Sequence, residues 1–167
     1  MRLGAVSTVL IRHPLREAAR RMRALGLDCI EIGTAGYFPK NHCDPEALLS
    51  DDGALRRFED TLAENELSLS AFAVHGEPLN PDPEAKELYK REFLNTCKLA
   101  EKLGVTRLTL LAGLPEGVEG DRCPNWILYP YPPINMQRLE WQWEKRLIPY
   151  WREQAKVAEG TSCAALF

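Results

Sequence analysis

Four short apolar segments alternate with four amphipathic segments, and this alternation restricts the fold more than any other feature. The apolar segments, which carry strand-forming residues, are 3–8, 29–34, 67–74 and 105–112. The amphipathic segments, in which apolar residues recur at helical spacing, are 15–26, 54–65, 83–104 and 135–159. Parallel neighbouring strands are joined by crossover connections, usually helices, so the pattern predicts an α/β chain with one parallel sheet.

The bulk composition argues against nucleic-acid and membrane partners. The chain has 167 residues, enough for one domain with a hydrophobic core, and its formal net charge of -3 offers no basic surface for nucleic acid. No apolar run approaches the ~20 residues that span a bilayer. The five cysteines are odd in number and include no C-x-x-C pair, which favours reduced thiols. We therefore expect a cytoplasmic protein without nucleic-acid or membrane partners.

A polar loop follows the third apolar segment, in the stretch AFAVHGEPLNPD at 71–82. His75 lies at the change from apolar to polar residues, with Glu77 and Asn80 close behind it, and Glu31 lies on the second apolar segment. The carboxyl ends of parallel strands meet at one edge of a sheet, so these side chains are candidates for a common site. The alternatives are a structural histidine at a strand end and, for Glu31, an ion pair with a cation such as arginine.

A long loop rich in glycine, proline and aromatic residues occupies 113–135. It exceeds the length of a simple strand-to-helix connection, which predicts an active-site loop. Trp126, Tyr129 and Tyr131 are candidates for a lid over a ligand, with packing of the loop onto the protein as the alternative. Pro149 lies inside the fourth amphipathic segment, where it predicts a kink or break in the helix.

Four motifs follow one another along the chain in the order of a known family. They are EIGTAGYFPKNHCDPEALLSD at 31–51, VHGEPLNPD at 74–82, LLAGLPEG at 110–117 and LEWQWEKRLIPYW at 139–151. In these motifs the chain resembles the sugar phosphate isomerase/epimerase family, within the xylose-isomerase-like TIM barrels. The resemblance implies an eight-stranded (β/α) barrel, of which this chain holds the first four units. It predicts a truncated half barrel at 1–159 and an aberrant tail at 160–167.

The resemblance also implies a chemistry. Members move a proton next to a carbonyl group of a sugar or sugar phosphate, commonly with a divalent metal such as Mn²⁺, Mg²⁺ or Zn²⁺. It makes His75, Glu31, Glu77 and Asn80 the predicted substrate-binding residues, and His75 also a possible metal ligand. The metal ligands and bases of the family lie on strands five to eight. No catalytic residue is therefore predicted here, and we expect the chain to be inactive or incomplete alone and to bind metal weakly.

Two alternatives remain open at the level of sequence. The first is a DNA-repair endonuclease of the same superfamily with a trinuclear zinc site, for which His75 could supply the strand-three histidine. Ala112 and Gly113 stand where the strand-four histidine would be expected. The second is a non-catalytic half barrel that self-associates, or pairs with another half, through its open strand edges.

Overall fold

The computed structural model describes residues 1–160 and the backbone of 164–166. Parallel strands form one sheet in chain order, and they are β1 Gly4–Val6, β2 Cys29–Gly36, β3 Ser68–His75, β4 Arg107–Leu110 and β5 Ala164–Leu166. Helices lie on the connections between successive strands. The α/β architecture with a parallel sheet, predicted from the alternating segments, is therefore confirmed.

The helices begin and end where the local sequence favours it. They are α1 Leu15–Ala24, α2 Pro45–Ser50, α3 Asp52–Glu64, α4 Pro83–Leu103, α5 Ile134–Gln142 and α6 Ile148–Gly160. The carboxylate of Asp82 accepts the Glu84 N–H at 2.9 Å and caps α4, and Gly104 ends the helix with a φ of 68°. Fully buried residues such as Phe72 and Leu99 form the core between sheet and helices. Among the described residues, no helix is both long and apolar enough to cross a membrane.

The fourth amphipathic segment differs from the prediction of a kink or break at Pro149. A five-residue π-helical segment, Trp143–Leu147, separates α5 from α6, and Pro149 is the second residue of α6. The Ile148 N–H donates to the Trp143 carbonyl oxygen, five residues earlier, so the chain stays helical from this segment into α6. The irregularity therefore lies just before Pro149, where the π-helical segment opens the hydrogen-bond pattern.

Part of the tail predicted at 160–167 forms a strand of the sheet. Its residues Ala164–Leu166 form β5, which pairs with β4 in parallel, with Arg107 opposite Ala164 and Thr109 opposite Leu166. Parallel pairing joins backbone N–H and C=O groups, so the outer edge of β4 accepts this segment although its sequence is unlike the other strands. The domain boundary after residue 159 stays a prediction. Cys163 lies outside the described residues, and Cys29, Cys43 and Cys123 form no disulfide.

Candidate functional site

The site begins where β2 and β3 end side by side. Gly36 pairs with His75, and its φ of 76° lies in the left-handed region that favours glycine. A Cβ on Gly36 would lie 1.9 Å from the His75 carbonyl oxygen, which no side chain could accommodate. The next residue, Tyr37, donates its backbone N–H to that same oxygen at 2.7 Å. Glycine at position 36 therefore brings Tyr37 to the end of β3.

Glu77 lies in the loop after β3 and is held on both carboxylate oxygens. The Tyr37 hydroxyl donates to Oε1, and Asn80 donates through Nδ2 to Oε2 at 2.6 Å. Burial and the neighbouring Glu77 carboxylate raise the pKa of Tyr37, so its phenol remains protonated and can donate. The result is an oriented carboxylate with lone pairs left for further hydrogen bonds.

A second group of polar side chains comes from the strands themselves, namely Glu31 of β2, His75 of β3 and Thr109 of β4. The Thr109 hydroxyl of β4 donates to Glu31 Oε1 at 2.9 Å, so Glu31 bonds a hydroxyl group and not the cation considered from the sequence. The His75 ring packs against Phe38, with ring centroids 4.7 Å apart. Burial lowers the pKa of His75, and the Glu31 carboxylate offsets only part of this effect. The imidazole is therefore neutral at neutral pH and can donate or accept a hydrogen bond.

A cleft of about 310 Å³ opens beside Glu77. Three loops at the carboxyl edge of the sheet supply its walls, through the residues Tyr37, Gly76, Glu77, Leu111, Ala112, Gly113, Leu114 and Trp126. Asn80 lines a neighbouring cleft of about 520 Å³. Of the four residues predicted from the sequence, Glu77 lines the smaller cleft with Asn80 bonded behind it. His75, at the end of β3, and Glu31, within β2, form a separate group and are not among the lining residues.

Trp126 reaches the smaller cleft from the long loop because a helix residue holds that loop. Gln142, at the end of α5, is fully buried. Its Oε1 accepts the N–H of Ile127 at 3.2 Å, and its Nε2 donates to the carbonyl oxygens of Asn125 at 2.8 Å and Glu116 at 2.9 Å. The two residues that flank Trp126 are thus bonded to one side chain, which holds the backbone around Trp126 at the cleft.

Three of these residues were not predicted from the sequence. Tyr37 follows a strand glycine inside the first family motif, and this position is the signal that could have found it. Thr109 lies in an apolar strand, and Gln142 lies between Trp141 and Trp143 in an amphipathic helix, so neither carries a signal before the strands and loops are placed. The sequence predicted a lid from Trp126, Tyr129 and Tyr131. Of these three, Trp126 lines the cleft, whereas Tyr129 and Tyr131 are 74% and 80% exposed.

Within the described residues, the donor atoms of this region do not by themselves complete a zinc site. Among the described residues, no group of three or more His, Cys, Asp or Glu side chains converges on one point. Zinc sites usually take at least three protein ligands, whereas the strand ends offer His75 with Glu31 as its charged neighbour. We therefore assign no chemical step of this chain to a metal.

Comparison with known proteins identifies the same architecture. The model of a family described as xylose isomerase-like TIM barrel matches residues 19–161. Uncharacterized protein YfiH from Bacillus subtilis (strain 168) is 33% identical over 162 residues, which make up 95% of this chain and 51% of that protein. The chain thus spans about half the length of this curated relative.

Solved structures share the fold at low sequence identity. D-psicose 3-epimerase from Clostridium cellulolyticum H10, solved with D-tagatose, superposes with a TM-score of 0.57 and 16% identity, over 99% of this chain and 51% of that chain. The IOLI protein, solved with a bound zinc atom, superposes with a TM-score of 0.60 and 16% identity, over 99% of this chain and 50% of that chain. At these identities the comparison establishes the fold alone.

Proposed function

Because the chain belongs to the xylose isomerase-like TIM barrel family, we propose that it forms a sugar-binding part of an isomerase or epimerase that moves a proton next to a carbonyl group. The observation that carries the proposal is the oriented Glu77 carboxylate in the wall of the 310 Å³ cleft. A carboxylate held on both oxygens accepts neighbouring sugar hydroxyls without first paying the entropy of ordering its side chain.

The other predicted residues take supporting roles in this proposal. His75, neutral and next to the cleft loop in sequence, provides a hydrogen-bond donor or acceptor for a hydroxyl or carbonyl oxygen. Asn80 keeps Glu77 in place, and Glu31 with Thr109 provides a polar edge beside His75. We assign the base that takes the proton to no residue of this chain. The 167-residue chain is therefore expected to bind sugar without turnover.

Substitution of Glu77 by glutamine tests the proposal. D-Tagatose titrated into the 167-residue chain, followed by calorimetry or amide chemical shifts, should bind about tenfold more weakly to Glu77→Gln, because hydrogen bonds to a charged acceptor contribute about 1.5–3 kcal/mol. Glu84→Gln, at an exposed position in the first turn of α4, removes the same charge away from the cleft and should leave the affinity unchanged. Equal affinities for the two variants, or no binding by the unmodified chain, would contradict the proposal.

The endonuclease alternative is not favoured. The structural neighbour named above is a sugar epimerase, and the family model carries the description of a xylose isomerase-like barrel. The end of β4 leads into Ala112 and Gly113, which offer no side-chain ligand for a multinuclear zinc site.

Self-association is a second proposal, favoured by the edges of the sheet. Within the described residues, β1 pairs only with β2 and β5 pairs only with β4, so each edge presents backbone groups without a strand partner. Sedimentation velocity over a concentration series should therefore show dimers or larger species. A monomer at every concentration that also fails to bind an apolar dye would contradict this expectation.

A further inference from the structure

The 310 Å³ cleft has an unusual balance of charge for a ligand site. Among its described lining residues, Glu77 is the one that carries a charge. Two basic residues of the surrounding loops and helices are occupied elsewhere: Lys40 pairs with Glu92 at 3.0 Å, and Arg146 pairs with Glu116 at 2.8 Å. Neither of these cations lines the cleft. The cleft is therefore an apolar and aromatic space with one oriented anion.

This balance disfavours a phosphorylated ligand. A phosphate group in the cleft would lie near the Glu77 carboxylate, and among the described lining residues no cation offsets the repulsion between the two negative charges. Protein sites for phosphate use arginine, lysine or helix N-termini. An uncharged polyol has no such cost, because its hydroxyl groups donate to Glu77.

Trp126 adds a second element of recognition for such a ligand. Its indole is half-buried and packs edge-on against Trp143, with centroids 5.8 Å apart. The backbone on both sides of Trp126 is fixed by Gln142, so the ring is held in position before any ligand arrives. A sugar ring has one face of C–H groups, and a large aromatic surface complements that face.

We propose that this cleft selects an uncharged sugar, which donates hydroxyl hydrogen bonds to Glu77 and stacks its C–H face on Trp126, and that it discriminates against the phosphorylated form of the same sugar. The inference rests on the proposed sugar-binding function and adds the substrate class. Trp126 contacts the ligand, and Gln142 positions Trp126.

A matched pair of probes tests the selectivity. D-Tagatose and D-tagatose 6-phosphate are titrated into the full chain at neutral pH and fixed ionic strength. The phosphorylated sugar should bind at least about tenfold more weakly, because its phosphate and the Glu77 carboxylate carry like charges. Trp126→Ala should weaken D-tagatose binding about tenfold, as truncation of a ligand-contacting tryptophan commonly does. Trp141→Ala is the control, because Trp141 stacks on Arg146 outside the cleft.

The outcomes separate this inference from the function on which it rests. Binding of D-tagatose but not of its phosphate, with loss on Trp126→Ala alone, supports the inference. Equal or tighter binding of the phosphorylated sugar overturns the inference while leaving a sugar site in place. If the double variant Lys86→Gln with Lys145→Gln then loses that binding, the phosphate lies in the neighbouring 520 Å³ cleft, which those lysines line. Failure of both probes to bind removes the sugar site, and the inference with it. Equal effects of Trp126→Ala and Trp141→Ala also overturn the assigned role of Trp126.

Discussion

Replacement of Gly36 by alanine is expected to lower the free energy of unfolding by about 2–4 kcal/mol. The alanine would be strained at a left-handed φ, and its Cβ would collide with the backbone of β3. The added Cβ would lie 1.9 Å from the carbonyl oxygen of His75, so β2 and β3 must separate at their ends. That separation breaks the hydrogen bond from the Tyr37 N–H and moves the Tyr37 hydroxyl away from Glu77. Chemical denaturation measures the stability, and titration with D-tagatose measures the loss of the oriented carboxylate.

Gly26 provides the matched control for this substitution. Its φ of 80° is close to that of Gly36, but a Cβ there would meet nothing within 4 Å. Gly26→Ala therefore carries the conformational strain alone, about 1–2 kcal/mol, with no effect on sugar affinity. If the two variants lose equal stability and bind the sugar equally, the contact between Gly36 and His75 does not organise the site.

Replacement of Gln142 by leucine is expected to destabilise the chain by about 3 kcal/mol or more, because a buried backbone group left without a partner costs about 1–3 kcal/mol. The N–H of Ile127 and the carbonyl groups of Glu116 and Asn125 would all lose their partner. The loop that carries Trp126 should then open locally. Amide hydrogen exchange at Ile127 should accelerate, and affinity for D-tagatose should fall as in Trp126→Ala.

Gln137→Leu is the control on the same helix. Gln137 is exposed, and its substitution should change stability by no more than about 0.5 kcal/mol. Unchanged exchange at Ile127 in Gln142→Leu would show that Gln142 does not hold the loop. Faster exchange with full sugar affinity would instead show that the position of Trp126 is unimportant for binding.

The course of the sheet was predictable because its strands are nearly continuous apolar runs bounded by turn residues. The second strand was predicted at 29–34, yet it extends to Gly36. Ala35 and Gly36 resemble loop residues in sequence, and they remain in the strand because Gly36 can approach His75 closely. The strand end that builds the site was therefore the part that local sequence preference could not identify.

Contacts between side chains of distant segments were less predictable than the segments themselves. The pairing of β2 with β3 shifts register between Gly33 and Ala35, and this irregularity determines which residue lies opposite His75. An alternating pattern gives the face of a strand residue but not such a shift. Glu77 and Asn80 were expected near each other from their spacing, whereas the arrival of Tyr37 at Glu77 depends on the shifted register.

The three hydrogen bonds by which Gln142 holds the long loop affect how ligand preference can change in evolution. A single inherited substitution in helix α5, at a residue that lines neither cleft, would displace the aromatic wall of the site. Descendants of a common ancestor could therefore diverge in the sugars they accept while every residue that lines the cleft stays the same. Their lineage-specific preferences would be inherited through the interior of the protein rather than through its binding surface.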